Sequence, residues 1–135
     1  MIKTDKTTGK EIVAIDGLKF IKGELIPFTG TLVNHYDDGV LNGYVDFKSG
    51  LQHGKSVNYD EDGKVKHESE WVKGEIHGTS KMFQTGLLRM ETESRNGQRQ
   101  IVKKYENLDG KVTEILHFQN GKYDRSTYPS EGNED

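Results

Sequence analysis

Glycines recur along the 135-residue chain at a nearly constant interval, and that timing leaves few folds open. Gly39, Gly63, Gly86 and Gly110 follow one another at 24, 23 and 24 residues, and Gly50, Gly74, Gly97 and Gly121 repeat the same steps eleven residues later. A period in this range marks stacked supersecondary units. The first glycine of each unit closes a polar stretch, "DDG" at 37–39, "DEDG" at 60–63, "QTG" at 84–86 and "NLDG" at 107–110. Gly, Asn and Asp supply the left-handed backbone that hairpin turns require.

A short strand is expected before each of these turns, ending in Tyr36, Tyr59, Phe83 or Tyr105. A longer one follows, closing on Phe47, Trp71 or Phe118, with Ser94 in the third unit. Every second residue from the turn gives Leu41, Gly43, Val45, Phe47; Val65, His67, Ser69, Trp71; Leu88, Met90, Thr92, Ser94; and Val112, Glu114, Leu116, Phe118. Tyr44, Asp46, Glu68, Glu70, Glu91 and Glu93 fall between them. Strand side chains alternate in direction, so one face is expected to be the more apolar and the other charged. The fold class expected is all-β, an elongated antiparallel meander of consecutive β-hairpins in a single curved sheet. The aromatics are expected to form its core, one ring packed on the next.

The domain expected spans residues 1–126. It opens with an irregular hairpin at 10–23 around Asp16-Gly17 and continues with repeats over about 24–123. Residues 127–135, "TYPSEGNED", are polar and aperiodic and are expected to be a disordered acidic tail.

"GLQHG" at 50–54 returns as "GEIHG" at 74–78, which sets His53 and His77 at one repeat position. Two strand spacings, about 10 Å, would separate them. A shared zinc ion needs both nitrogens at about 2 Å, so the rings are expected to bond turn backbone or to cover an aromatic. The chain has no cysteine, which excludes disulfides, thiolate metal sites and a cysteine nucleophile. No phosphate loop, nucleophile elbow or metal-binding helix motif is present, so no catalytic residue, cofactor or metal is expected.

Nineteen basic and 22 acidic residues are mixed along the chain, for a net charge of -3. Without a basic stripe, direct nucleic-acid binding is disfavoured. No segment approaches the ~20 apolar residues of a membrane helix, and a soluble cytoplasmic protein is expected. The partner-binding residues expected are Tyr44, Asp46, Glu68, Glu70, Glu91 and Glu93. Asp46, Glu70 and Glu93 share one repeat position and Glu68 and Glu91 another. Spaced near the ~8 Å screening length, such carboxylates have overlapping fields, which suits a basic partner. Lys64, Lys66 and Arg89 are the cations expected to temper that face.

"WVKGEIHG", "FKSGLQHG" and the lead-in "PFTGT" resemble the MORN repeats, in particular their bacterial second variant. The resemblance covers roughly residues 24–123; the third and fourth units keep the spacing, with Ile101 and Arg125 where the second glycine would stand. It implies consecutive hairpins in one long sheet. Proteins of this variant are often antitoxins or immunity proteins, so the resemblance implies a non-enzymatic module that covers a cognate, basic protein toxin, such as a nuclease. Other MORN proteins are scaffolds at membranes or the cytoskeleton. That implies the alternative, a protein- or lipid-interaction module whose edge strands support a homo-oligomer.

Overall fold

The computed structural model describes residues 1–129. It is all-β, an antiparallel meander of hairpins in one largely open sheet. In chain order the strands are β1 (Ile2–Asp5), β2 (Ile12–Ile15), β3 (Leu18–Ile21), β4 (Gly30–His35), β5 (Leu41–Lys48), β6 (Leu51–Tyr59) and β7 (Val65–Val72). They continue with β8 (Glu75–Ile76), β9 (Gly78–Gln84), β10 (Leu87–Arg95), β11 (Gln98–Lys104), β12 (Glu114–Gln119) and β13 (Lys122–Thr127). The large sheet runs β1-β4-β5-β6-β7-β9-β10-β11-β12-β13, with β8 also paired to β7. Strands β2 and β3 pair as a separate hairpin around Asp16-Gly17. The tail expected from residue 127 falls mostly on residues 130–135, outside the described residues, while Thr127 pairs with Ile115.

Two kinds of turn alternate, as the two glycine series require. Tight turns place two successive residues in the left-handed region, as at Lys73 (φ 49°) and Gly74 (φ 83°), and the same pairing recurs at 49–50, 96–97 and 120–121. Such turns match the right-handed twist of the flanking strands. Longer turns are organised by an aspartate: Asp38 accepts from Val40 N, Asp60 from Asp62 N and Lys64 N, and Asp109 from Lys111 N. The exception is "QTG", where Thr85 (φ 50°) and Gly86 (φ 83°) make a tight turn in place of the longer one.

Three of the four junctions carry a bulge beside the turn. The register slips between Asn34 and His35, between Asn58 and Tyr59, and between Leu88 and Met90. Because of the first slip, His35 and not Tyr36 takes the position of Tyr59 and Phe83 beside the bulge; Tyr36 folds into the turn, its N–H bonded to Val40 O.

The register defines two faces. One row reads Leu32, Val45, Ser56, Ser69, Ser80, Thr92, Val102 and Leu116 across β4 to β12. This is the face expected to be apolar, yet only its two ends are. Ser69, Ser80 and Ser94 are buried on this face. The Trp71 indole lies against the same row, its Nε1 donating to Ser56 Oγ at 3.0 Å.

The core sits at the β4–β5 end of this face. There Ile12, Phe28, Leu32 and Phe47 are buried together, with Ile21 and Val45 packed against them. Burial of each such side chain stabilises the fold by about 2 kcal/mol. The aromatics do not pack ring on ring from unit to unit. Phe47 instead meets Phe28 at 6.1 Å between centroids, and Phe118 meets Tyr123 at 6.0 Å with Arg99 above it at 5.4 Å. Neighbouring units hold each other chiefly through backbone hydrogen bonds, the more economical link for a single-layer sheet.

Candidate functional site

On the opposite face the register brings all six expected residues together. Across one row lie Val33, Tyr44, Val57, Glu68, Lys81, Glu91, Lys103 and Ile115. Two residues further along the strands, Thr31 pairs with Asp46, Lys55 with Glu70, and Glu93 with both Thr79 and Ile101. Tyr44, Asp46, Glu68, Glu70, Glu91 and Glu93 therefore share one side. They alternate with strands that present lysine: Lys55, Lys81 and Lys103 stand between or beside the carboxylates, five acids against three bases.

The lysines differ from those expected. Lys64 lies in the Asp60 turn, while Lys66 and Arg89, set at the register slips, line a depression with His67 and Met82 of the serine face. Lys55, Lys81 and Thr79 are the residues that sequence reasoning missed. Counting back from each turn to the residue opposite Glu68 and Glu70 would have found them, because antiparallel register places Lys81 and Lys55 there.

The acids divide by what the fold asks of them. Asp46 is structural: its Oδ1 accepts from Thr31 Oγ1 at 2.8 Å and its Oδ2 from Lys55 N at 3.3 Å. Glu91 is also engaged, accepting from Tyr105 OH at 3.3 Å and lying 4.0 Å from Lys81 Nζ. Among the described residues, Glu68, Glu70 and Glu93 make no hydrogen bond or ion pair through their carboxylates. Glu68 is half-buried; Glu70 and Glu93 are exposed.

Burial raises the Tyr44 phenol above the ordinary tyrosine range, and the neighbouring carboxylates of Asp46 and Glu68 raise it further. Tyr105 is raised in the same way, by burial and then by Glu91. Both rings therefore remain neutral hydrogen-bonding groups on an acidic surface. Between them Lys55, Glu68, Glu70, Thr79, Lys81 and Glu91 line a shallow depression of about 240 Å³. Its three carboxylates and two ammonium groups suit a cationic side chain with hydrogen-bonding capacity on a partner surface.

Beside this face lies the structural role of the paired histidines. His53 Nδ1 accepts from Lys73 N at 3.2 Å, and His77 Nδ1 accepts from Asn96 N at 3.3 Å. Each ring thus holds the next unit's tight turn, and in the first unit Thr29 Oγ1 does the same for Ser49 N at 2.9 Å. The backbone repeats the pattern: Gly50 N donates to Phe28 O, Gly74 N to Gln52 O, and Gly97 N to Ile76 O. Acceptance at Nδ1 requires that nitrogen to be unprotonated, which places the proton of a neutral ring on Nε2. Among the described residues, no group of three or more histidines, aspartates or glutamates is arranged to hold a metal ion, and no helix is long and apolar enough to cross a membrane.

A scan against protein-family models finds no match to this chain, and a search of curated proteins finds none either.

Proposed function

We propose that the chain is a cytoplasmic MORN-like repeat module that binds a protein, of the immunity or antitoxin type, and neutralises a basic cognate toxin by laying its acidic face over the toxin's active site. The reading is supported above all by Glu68, Glu70 and Glu93, three carboxylates on one face that the fold does not use. A toxin that acts on nucleic acid presents a cationic cleft for phosphates, and such a cleft is complementary to this surface. Tyr44, with its neutral phenol, is the anchor. No catalysis is assigned to the module.

The test is a rescue experiment with the product of the neighbouring reading frame. Expressed alone, that product should arrest growth, and co-expression of the present chain should restore it. A variant carrying Glu68→Gln, Glu70→Gln and Glu93→Gln should lose the rescue while its stability stays within about 0.5 kcal/mol of the parent, since these side chains hold nothing in place. A harmless neighbour, or a variant that protects as well as the parent, would refute the proposal.

One observation favours a second reading, a self-associating scaffold. Thr4 bridges to Glu11 and Asp5 N bonds Lys10 O, so the chain at Lys10 and Glu11 covers the outer edge of β1 beside Thr4 and Asp5. Strand β13 is exposed along almost its whole length. Concentration-dependent dimerisation in size-exclusion chromatography, abolished by Ser126→Pro, is the result that reading requires.

A further inference from the structure

The serine face carries a trough that the repeat does not need. Two adjoining depressions of about 590 and 510 Å³ share Gln84 and Arg89. The first is lined also by Asn58, Lys66, His67 and Met82, and the second by Met90, Lys104, Glu106 and the carbonyl side of Tyr105, whose ring turns to the acidic face. Together they cross from β6 to β11, four strand spacings or about 19 Å, the length of roughly six extended residues.

Sequence changes within the repeat create this trough. In register, Met82 takes the place held by Asn58 one unit earlier, and Met90 the place held by His67. The chain has three methionines, so two of them are spent here, and Met82 is 45% exposed. A soft, flexible thioether left in solvent gives the sheet little, whereas it suits a surface that accommodates apolar side chains.

Charge selects the partner. Lys66 and Arg89 border the trough, and no carboxylate lines the first depression. Arg89 Nη1 donates to Tyr105 O and Glu106 O, both at 3.1 Å, which fixes the guanidinium and leaves its other nitrogens uncommitted among the described residues. At the far end Lys104 is paired with Glu114 at 3.7 Å and Glu106 adds one acid, so the cationic character is concentrated at the β7–β10 end.

We infer that this trough binds an extended acidic peptide segment of a partner protein, its apolar side chains on Met82 and Met90 and its carboxylates on Lys66 and Arg89. The site is independent of the acidic face and lies on the other side of the sheet.

Methyl-labelled methionine provides the test, because Met1 serves as an internal control. The full chain is titrated with a blocked hexapeptide alternating Glu and Leu. The signals of Met82 and Met90 should shift and that of Met1 should not. Lys66→Glu, at an exposed side chain without a partner among the described residues, should weaken binding about fivefold, the upper end for an exposed ion pair. Arg89→Gln should weaken it further, and the triple glutamine variant of the acidic face should leave it unchanged. No shift with the acidic peptide would overturn the inference, as would an equal shift with a Lys-for-Glu peptide or with dodecyl phosphate. Shifts produced by raising the protein concentration alone would assign the trough to a second copy and overturn it too, and binding indifferent to Lys66→Glu and Arg89→Gln would remove its charge basis.

Discussion

Gly54 and Gly78 occupy one repeat position, and alanine at the two sites should nevertheless cost different amounts. Both have left-handed backbone, with φ of 111° and 82°. A side chain there costs roughly 1–2 kcal/mol, and Gly54 lies further from the αL well near +57°, which puts it at the upper end. The surroundings widen the gap. A Cβ on Gly54 would stand 3.0 Å from both Cβ and Oδ2 of Asp46, a side chain already held by Thr31 and Lys55. A Cβ on Gly78 would meet Glu70 Oε2 at 2.8 Å, but that is the free end of an exposed side chain and can swing away. Gly54→Ala thus sacrifices a charge-assisted hydrogen bond worth about 1.5 kcal/mol in addition to the backbone term.

The totals are about 3.5 kcal/mol for Gly54→Ala and about 1.5 kcal/mol for Gly78→Ala. With a urea slope of about 1.5 kcal/mol per molar, the midpoints should fall by roughly 2 M and 1 M at unchanged slope. A double-mutant cycle separates the causes. In an Asp46→Ala background the contact part of the Gly54 cost should vanish, a coupling of about 1.5 kcal/mol, while the backbone part remains. Equal costs at the two glycines, or a cycle without coupling, would show that Asp46 is not pinned against Gly54 and refute the reasoning.

Two further outcomes are expected. Burial raises the phenols of Tyr44 and Tyr105, so above pH about 10 the unfolded chain releases these protons while the folded one keeps them. Stability is therefore complete below that pH and declines as pH rises through the raised values; Tyr44→Phe should flatten the decline in alkaline urea titrations, and an unchanged slope would remove Tyr44 as a contributor. Ser56→Ala leaves the half-buried Trp71 Nε1 without its acceptor, which should cost about 1 kcal/mol and redden the emission of the single tryptophan. Unaltered emission would mean that the indole does not rest on Ser56.

The architecture was legible because its determinants are local. Turn glycines and their Asp, Asn or Lys neighbours set the hairpins within a few residues, and most strands pair with the next one in the chain. The same locality made the histidine pair readable, since His53 and His77 each serve a turn one unit ahead. What escaped was non-local or depended on register. Strand β1 pairs with β4 across some thirty residues of chain, a union that "IKTD" does not announce. The slips at Asn34, Asn58 and Leu88 insert extra residues, and these moved Tyr36 into a turn and sent Lys66 and Arg89 to line the opposite face. The acids could be counted along single strands, but their lysine neighbours required knowing the residue across each pair.

The hydrogen bonds of Thr29, His53 and His77 all run one way, from an acceptor in an earlier unit to a turn that comes later in the chain. On a ribosome, each emerging hairpin therefore meets a finished dock, and the protein can zip up from the Phe28 end without waiting for its final strands. The two ends are unequal for that reason: trimming from the C-terminal side leaves every remaining turn with its acceptor, whereas deleting the first hairpins takes Thr29 from the Ser49 turn and Phe28 from the core.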